Sequence, residues 1–249
     1  MTSELKKKID AAFRQAEAGM TESAEKALLE IITGLGDEDA DLRGKLYVNL
    51  GTLAENLGRL DAAIRYFEQA ILQLEDLKGE SILQNAHAHF NVTRILLTSG
   101  LEEAAADVST QALKLYQRYP LTSKVDLLDA RVLDFVCQVY ASSHSSKGKI
   151  PLTPSQMNSL WASIIAVPFN QLNIPGLQRF LLIYFPIQKQ VDPEGFKNNE
   201  RLLKEWAGDE FAAGIRELMQ RGDGPILLSS DPSQLFRSGR SEGFIPEHP

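Results

Sequence analysis

The sequence predicts an all-α chain: a stack of antiparallel helical hairpins followed by a C-terminal helical extension. Three observations carry this. Three stretches align without gaps, GMTESAEKALLEIITGL from Gly19, GRLDAAIRYFEQAILQL from Gly58 and GLEEAAADVSTQALKLY from Gly100, spaced by 39 and 42 residues. Apolar residues recur every three or four positions, the helical period. Of 11 prolines, only Pro120 precedes residue 150, and the rest lie between Pro151 and Pro249.

Each aligned stretch opens on a glycine, carries an acid at Glu22, Asp61 or Glu103, and places an alanine at Ala24, Ala63 or Ala105. A glycine closes a helix through the left-handed conformation, and an acidic residue near the next helix start suits its dipole. The alanines permit close approach of two helix axes. Ahead of the glycines lie matching helical segments, Leu5–Ala18, Leu42–Leu57 and Ile82–Ser99. In the middle one, Leu46, Leu50, Leu53 and Leu57 form an apolar stripe. The repeated unit is therefore helix, glycine turn, helix, and its neighbours must cover the apolar surface left over.

The middle unit carries Tyr47, Leu50, Gly51 and Ala54 on its first helix and Gly58, Ala63, Phe67 and Ala70 around its second. On these residues the segment of about 5–119 resembles the tetratricopeptide repeat family, as an extended variant with 39- and 42-residue spacing. The first unit contributes Ala11, Ala12, Gly19, Ala24, Leu28 and Ile31, the third Thr93, Gly100, Ala105, Ser109 and Ala112. Ser109 stands where the motif prefers a large apolar residue.

The resemblance implies a curved stack whose first helices line a groove for an extended or helical partner segment. Matching the units places Lys6, Ile9, Phe13, Lys45, Val48, Thr52, His87, Phe90 and Arg94 toward that side. Phe13 and Phe90 are candidates for apolar contact or for inter-repeat core, and Lys45 and Arg94 for pairing with acidic groups. Family members that hold chaperone C-termini use a clamp of Lys, Asn and Arg. Here Ile9 and Phe13 occupy two of its places, Asn49 fits a third, and His87 and Asn91 replace the basic pair, so that clamp is not expected.

Val125, Leu128, Val132, Phe135, Val136, Val139 and Tyr140 make an apolar helix surface read as the cap of the array. Asp126, Asp129 and Asp134 with Lys124 and Arg131 read as its solvated side. Thr153-Pro154-Ser155-Gln156 has the form of a capping box, with Met157, Leu160, Trp161, Ile164 and Ile165 on one face beyond it. A very apolar helix follows between Pro175 and Pro186. Asp192-Pro193-Glu194 starts another, to about Ala207, and Asp209 caps a last one ending at Gly222. The expected organisation is a repeat array with its capping helix over 1–142, a linker over 143–153, a helical region over 154–222 and an extended tail over 223–249.

The chemical search excludes more than it finds. His87 and His89 point about 200° apart on a helix and cannot share a metal, and no Cys/His set has ligand spacing. Cys137 sits among Val136 and Val139 as a small hydrophobe. No phosphate-cradling loop or nucleophile elbow occurs, so no catalytic residue, metal or cofactor is expected. The 249 residues carry 26 Lys+Arg and 33 Asp+Glu, net −7, which removes the usual reason to expect nucleic acid. The stretch 150–178 has no charged residue, but Pro168, Asn170, Asn173 and Pro175 break it, so no membrane span is expected. A charged start, MTSELKKKID, and a single cysteine point to a cytoplasmic protein.

The expected function is a non-catalytic protein-interaction or adaptor protein taking a partner segment in the repeat groove. Two alternatives remain at this point: a regulatory protein holding an apolar small molecule near Trp161–Phe185, and a scaffold that self-associates through groove or tail.

Overall fold

A computed structural model describes residues 2–143 and 153–221. Among them are eleven α-helices and two short 3-10 turns, with no strand. The helices are α1 (Ser3–Glu17), α2 (Thr21–Thr33), α3 (Ala40–Asn56), α4 (Leu60–Leu74), α5 (Ser81–Thr98), α6 (Glu102–Arg118), α7 (Lys124–Ser143), α8 (Pro154–Ile165), α9 (Ile174–Val191), α10 (Pro193–Ala207) and α11 (Asp209–Arg221).

The three repeated glycines do one job. Gly19, Gly58 and Gly100 have φ of 78°, 70° and 73°. In each turn the next N–H reaches back five residues, Met20 to Gln15 O, Arg59 to Ala54 O and Leu101 to Leu96 O, all at 2.9 Å. That bond is the signature of a helix closed by a left-handed residue, and it satisfies a carbonyl that the helix end would orphan.

The chain divides into two compact units. The first comprises residues 1–95 with 114–122, the second residues 96–113 with 123–249. In the first, Ile9, Ala12, Leu28, Ile31, Ile32, Leu46 and Leu50 form a buried cluster from α1, α2 and α3. The α3–α4 hairpin is closed by two close approaches. A Cβ at Gly44 would lie 2.4 Å from Leu74 Cγ, and one at Gly51 2.5 Å from the Phe67 ring. Phe67 and Leu74 are fully buried. Between the hairpins, buried Glu25 accepts from Arg59 and from the Tyr66 hydroxyl at 2.9 Å. Burial, and then the bond to Glu25, raises the Tyr66 pKa.

In the second unit α7 packs on α9, with the Phe135 and Phe180 rings 5.7 Å apart. The helix read as the array's cap thus shares a core with α9. Thr153 and Gln156 form the expected capping box, and Asp192 caps α10 by accepting from Gly195 N at 2.9 Å. The α9 helix does not stop at Pro186 but continues to Val191. A mid-helix proline costs about 3 kcal/mol, and burial of Ile187 and Gln188 beyond it offsets that loss. Of the linker expected over 143–153, residues 144–152 lie outside the described residues, as does the whole tail expected over 223–249.

The acidic residues of α7 correct the expectation of a solvated face. Asp134 Oδ1 accepts from Ser109 at 2.8 Å and Thr110 at 3.0 Å. Ser109, the apparent misfit of the third repeat, is buried and owes its place to that carboxylate. Asp129 accepts from Asn173 N–H with both oxygens at 3.1 Å, just ahead of α9. Burial raises the Asp129 pKa to about 6, against the pull of the Asn173 N–H and with a further push from Asp126.

This shift has a sign for stability. Between the unfolded value near 3.8 and about 6, the folded chain holds a proton that the unfolded chain releases, so this group makes the fold less stable as pH rises through 6. Asp129→Asn keeps an acceptor for Asn173 and removes the buried charge. The variant is expected to melt higher than the parent at pH 7.5 and to keep only part of that advantage at pH 5, since the difference vanishes only below 3.8. Parallel melting curves at the two pH values check this; an equal difference at both would refute it.

Candidate functional site

The residues assigned to the groove side lie on α1, α3 and α5. Lys6 is exposed on α1. Ile9 is a correction, since it lies in the buried cluster of the first unit, and of the two readings of Phe13 the core one fits, because the half-buried ring packs against that cluster. The cause is the α1–α2–α3 packing, which turns that face of α1 inward, so Phe13 belongs to the inter-repeat core.

On α3 the spacing of Lys45, Asn49, Thr52 and Asn56 puts four polar residues on one stripe. Asn49, Thr52 and Asn56 are exposed, and Lys45 and Val48 are half-buried beside them. Asn49 Nδ2 donates to Lys45 O at 2.8 Å and Thr52 Oγ1 to Val48 O at 3.2 Å. Both side chains lie along their own helix, with acceptor capacity left over.

The two cations are already paired within the unit. Lys45 Nζ lies 3.0 Å from Asp41 and 3.8 Å from Glu80. Arg94 of α5 donates to Glu55 of α3 at 2.7 Å and lies 3.4 Å from Asn91 Oδ1. Burial works to raise the Asp41 pKa, but the Ser81 hydroxyl and Lys45 outweigh it and hold it below the ordinary value. These pairs tie α3 to α5 and its approach. Glu55 and Glu80 were not among the residues singled out from sequence, since nothing local marks a partner 35 to 39 positions away, and Asp41, a helical turn before Lys45, was passed over as well.

His87 and Phe90 are half-buried against Tyr116, with ring centroids 5.6 and 6.3 Å apart and the Phe90 contact edge-on. His89 turns away, Nδ1 3.0 Å from Asn85 O, and burial lowers its pKa. The geometry brings Lys45, Val48 and Thr52 together on α3, places His87, Phe90 and Arg94 on α5, and leaves Lys6 apart at the start of α1.

The buried thiol is not set up for reaction. Cys137 is buried, and desolvation pushes its thiol up to about 12, the reverse of a reactive thiolate. Among the described residues no cluster of three or more His, Cys, Asp or Glu is placed to hold a metal, and no helix is long and apolar enough to cross a membrane.

The Trp161–Phe185 region is filled. Trp161 packs within 6.0 Å of Tyr184, Phe185 and Trp206, centroid to centroid. Tyr184 OH donates to Asn158 Oδ1 and accepts from Asn199 Nδ2, each at 2.8 Å, and Trp161 Nε1 donates to Asn199 Oδ1 at 3.2 Å. A void beside Phe185 and Leu203 measures only about 10 Å³. The aromatic side chains occupy the space that a small apolar ligand would need.

Comparison with known proteins agrees with this architecture. Residues 42–118 match the family model of the tetratricopeptide repeat. No curated protein matches the sequence. Among solved structures, the crystal structure of BtubC (BKLC) from P. vanneervenii is similar, at 18% identity and a TM-score of 0.54, over 96% of this chain and 85% of that one. At that identity the likeness speaks to fold alone. The tetratricopeptide repeat is a protein-interaction module, and this all-α chain carries it over residues 42–118.

Proposed function

We propose that the chain is a non-catalytic adaptor that takes a segment of a partner protein along the outward faces of α3 and α5. The observation that carries this reading is the polar stripe of Lys45, Asn49, Thr52 and Asn56 on α3, in the segment that matches the repeat family. Val48 beside it supplies an apolar contact, and His87 and Phe90 present ring edges on α5.

The ion pairs shape what the face accepts. The Lys45–Glu80 pair, with Glu80 exposed, is worth about 0–1 kcal/mol, so a partner carboxylate replaces Glu80 at Lys45 at small cost, whereas the mostly buried Arg94–Glu55 pair stays intact. Binding of an acidic segment then weakens with salt. A cytoplasmic setting, supported by the single buried Cys137, completes the reading.

The test uses exposed positions, so that folding stays intact. Asn49→Glu with Thr52→Glu, which sets like charge against an acidic segment, is expected to lose partners that the parent retains in affinity capture from native lysate, at least about tenfold. The melting temperature should stay within about 2 °C of the parent's, as for surface changes that touch no core. A partner held equally by both proteins would exclude this face.

A further inference from the structure

Within the second unit, and largely outside the repeat-matching segment, α7 and α8 leave a groove of about 420 Å³. That lies in the range of roughly 300–1,000 Å³ typical of ligand sites. Leu113, Phe135 and Leu160 line it with apolar surface, while Arg131, Asp134 and Gln138 form a polar wall on α7. Facing them on α8 are Gln156, Ser159 and Ser163. The groove exists because α8 buries its other side: Met157, Trp161 and Ile164 are in the core, which leaves its polar stripe turned to α7.

Both walls repeat at i, i+3 and i+7, so each presents about 10 Å of helix. That is the length of about three residues of extended chain. The α7 wall is also held in place. Gln138 Nε2 donates to Ala106 O and Thr110 Oγ1, both at 3.1 Å, while Ser109 and Thr110 hold Asp134 Oδ1. Asp134 Oδ2 and Gln138 Oε1 are therefore fixed acceptors with no donor among the described residues. Arg131 is exposed and has no hydrogen bond or ion pair among them. A cation, two fixed acceptors and an apolar floor follow one another along a single groove.

We propose that this groove binds an extended segment of a partner protein in which a carboxylate stands two or three residues from an apolar side chain. The carboxylate pairs with the Arg131 guanidinium, whose fork matches it. Backbone N–H groups of the segment donate to Asp134 and Gln138. The apolar side chain rests on Leu113, Phe135 and Leu160. This surface is separate from the α3–α5 face and does not depend on it.

Selection of short random peptides on the full-length chain, with sequences read before and after, tests the proposal. The expected result is enrichment, at least about tenfold, of Asp or Glu two or three positions from Leu, Ile, Val or Phe. On Asn49→Glu with Thr52→Glu, which closes the α3–α5 face to acidic segments, the acidic preference should persist. Adding Arg131→Glu to that variant is expected to abolish it with the melting temperature unchanged, and adding Arg131→Lys to keep it. Absence of enrichment, as would follow if the chain's own residues 222–249 or a second copy fill the groove, overturns the proposal. So does an acidic preference unchanged when Arg131→Glu is added to that variant, or one lost with Asn49→Glu and Thr52→Glu alone.

Discussion

Phe67→Ala is expected to remove about 3–5 kcal/mol, the usual loss when a buried phenylalanine is cut to alanine and the site cannot collapse. The site cannot collapse here because Phe67 is fully buried and its ring fills the space left by a missing side chain at Gly51. The two helices already stand as close as a glycine allows, so a smaller residue on α4 leaves a void that neither backbone can close. Domains are stable by about 5–15 kcal/mol, so the variant would sit near the edge of unfolding. Denaturant titration gives the number, and a loss below about 1 kcal/mol, the scale of a surface change, would mean that the hairpin interior is not packed as described.

Trp161→Ala is expected to cost a similar 3–5 kcal/mol, through the second unit. The indole is 3% exposed, meets Tyr184, Phe185 and Trp206, and donates to Asn199. Its loss opens a cavity and leaves Asn199 Oδ1 without its donor. Trp161→Phe separates the two effects: it keeps much of the ring packing and forfeits the N–H, for about 1–3 kcal/mol. Trp206, whose Nε1 donates to Val167 O at 2.8 Å, remains as the reporter, and its emission follows unfolding in each variant. Equal losses for Trp161→Ala and Trp161→Phe would assign the whole effect to the hydrogen bond. A negligible loss for both would contradict the filled aromatic core.

Much of the fold is legible along the chain because its signals are short-range. The glycine turns at 19, 58 and 100, the Thr153–Gln156 capping box and the Asp192 cap each depend on residues within a few positions. The same reasoning misjudged the end of α9, because burial of Ile187 and Gln188 overrides the local rule that proline ends a helix. It also read Asp129 and Asp134 as solvated, since their partners, Asn173, Ser109 and Thr110, lie 24 to 44 residues away. The proposed face rests on the alignment of the repeats, and the state of its residues was not legible there: Phe13 packs on the core, and Lys45 and Arg94 are engaged by the chain's own acids.

By itself, then, the sequence determined the helices, the hairpin turns and the repeated unit, because a 3.6-residue period and a left-handed glycine are properties of a few consecutive residues. Tertiary structure alone decided which charges are already paired, which aromatic rings fill the core and where a groove stays open. Those outcomes depend on side chains far apart in the chain meeting at about 3 Å, the reach of a hydrogen bond, and no local pattern records the meeting.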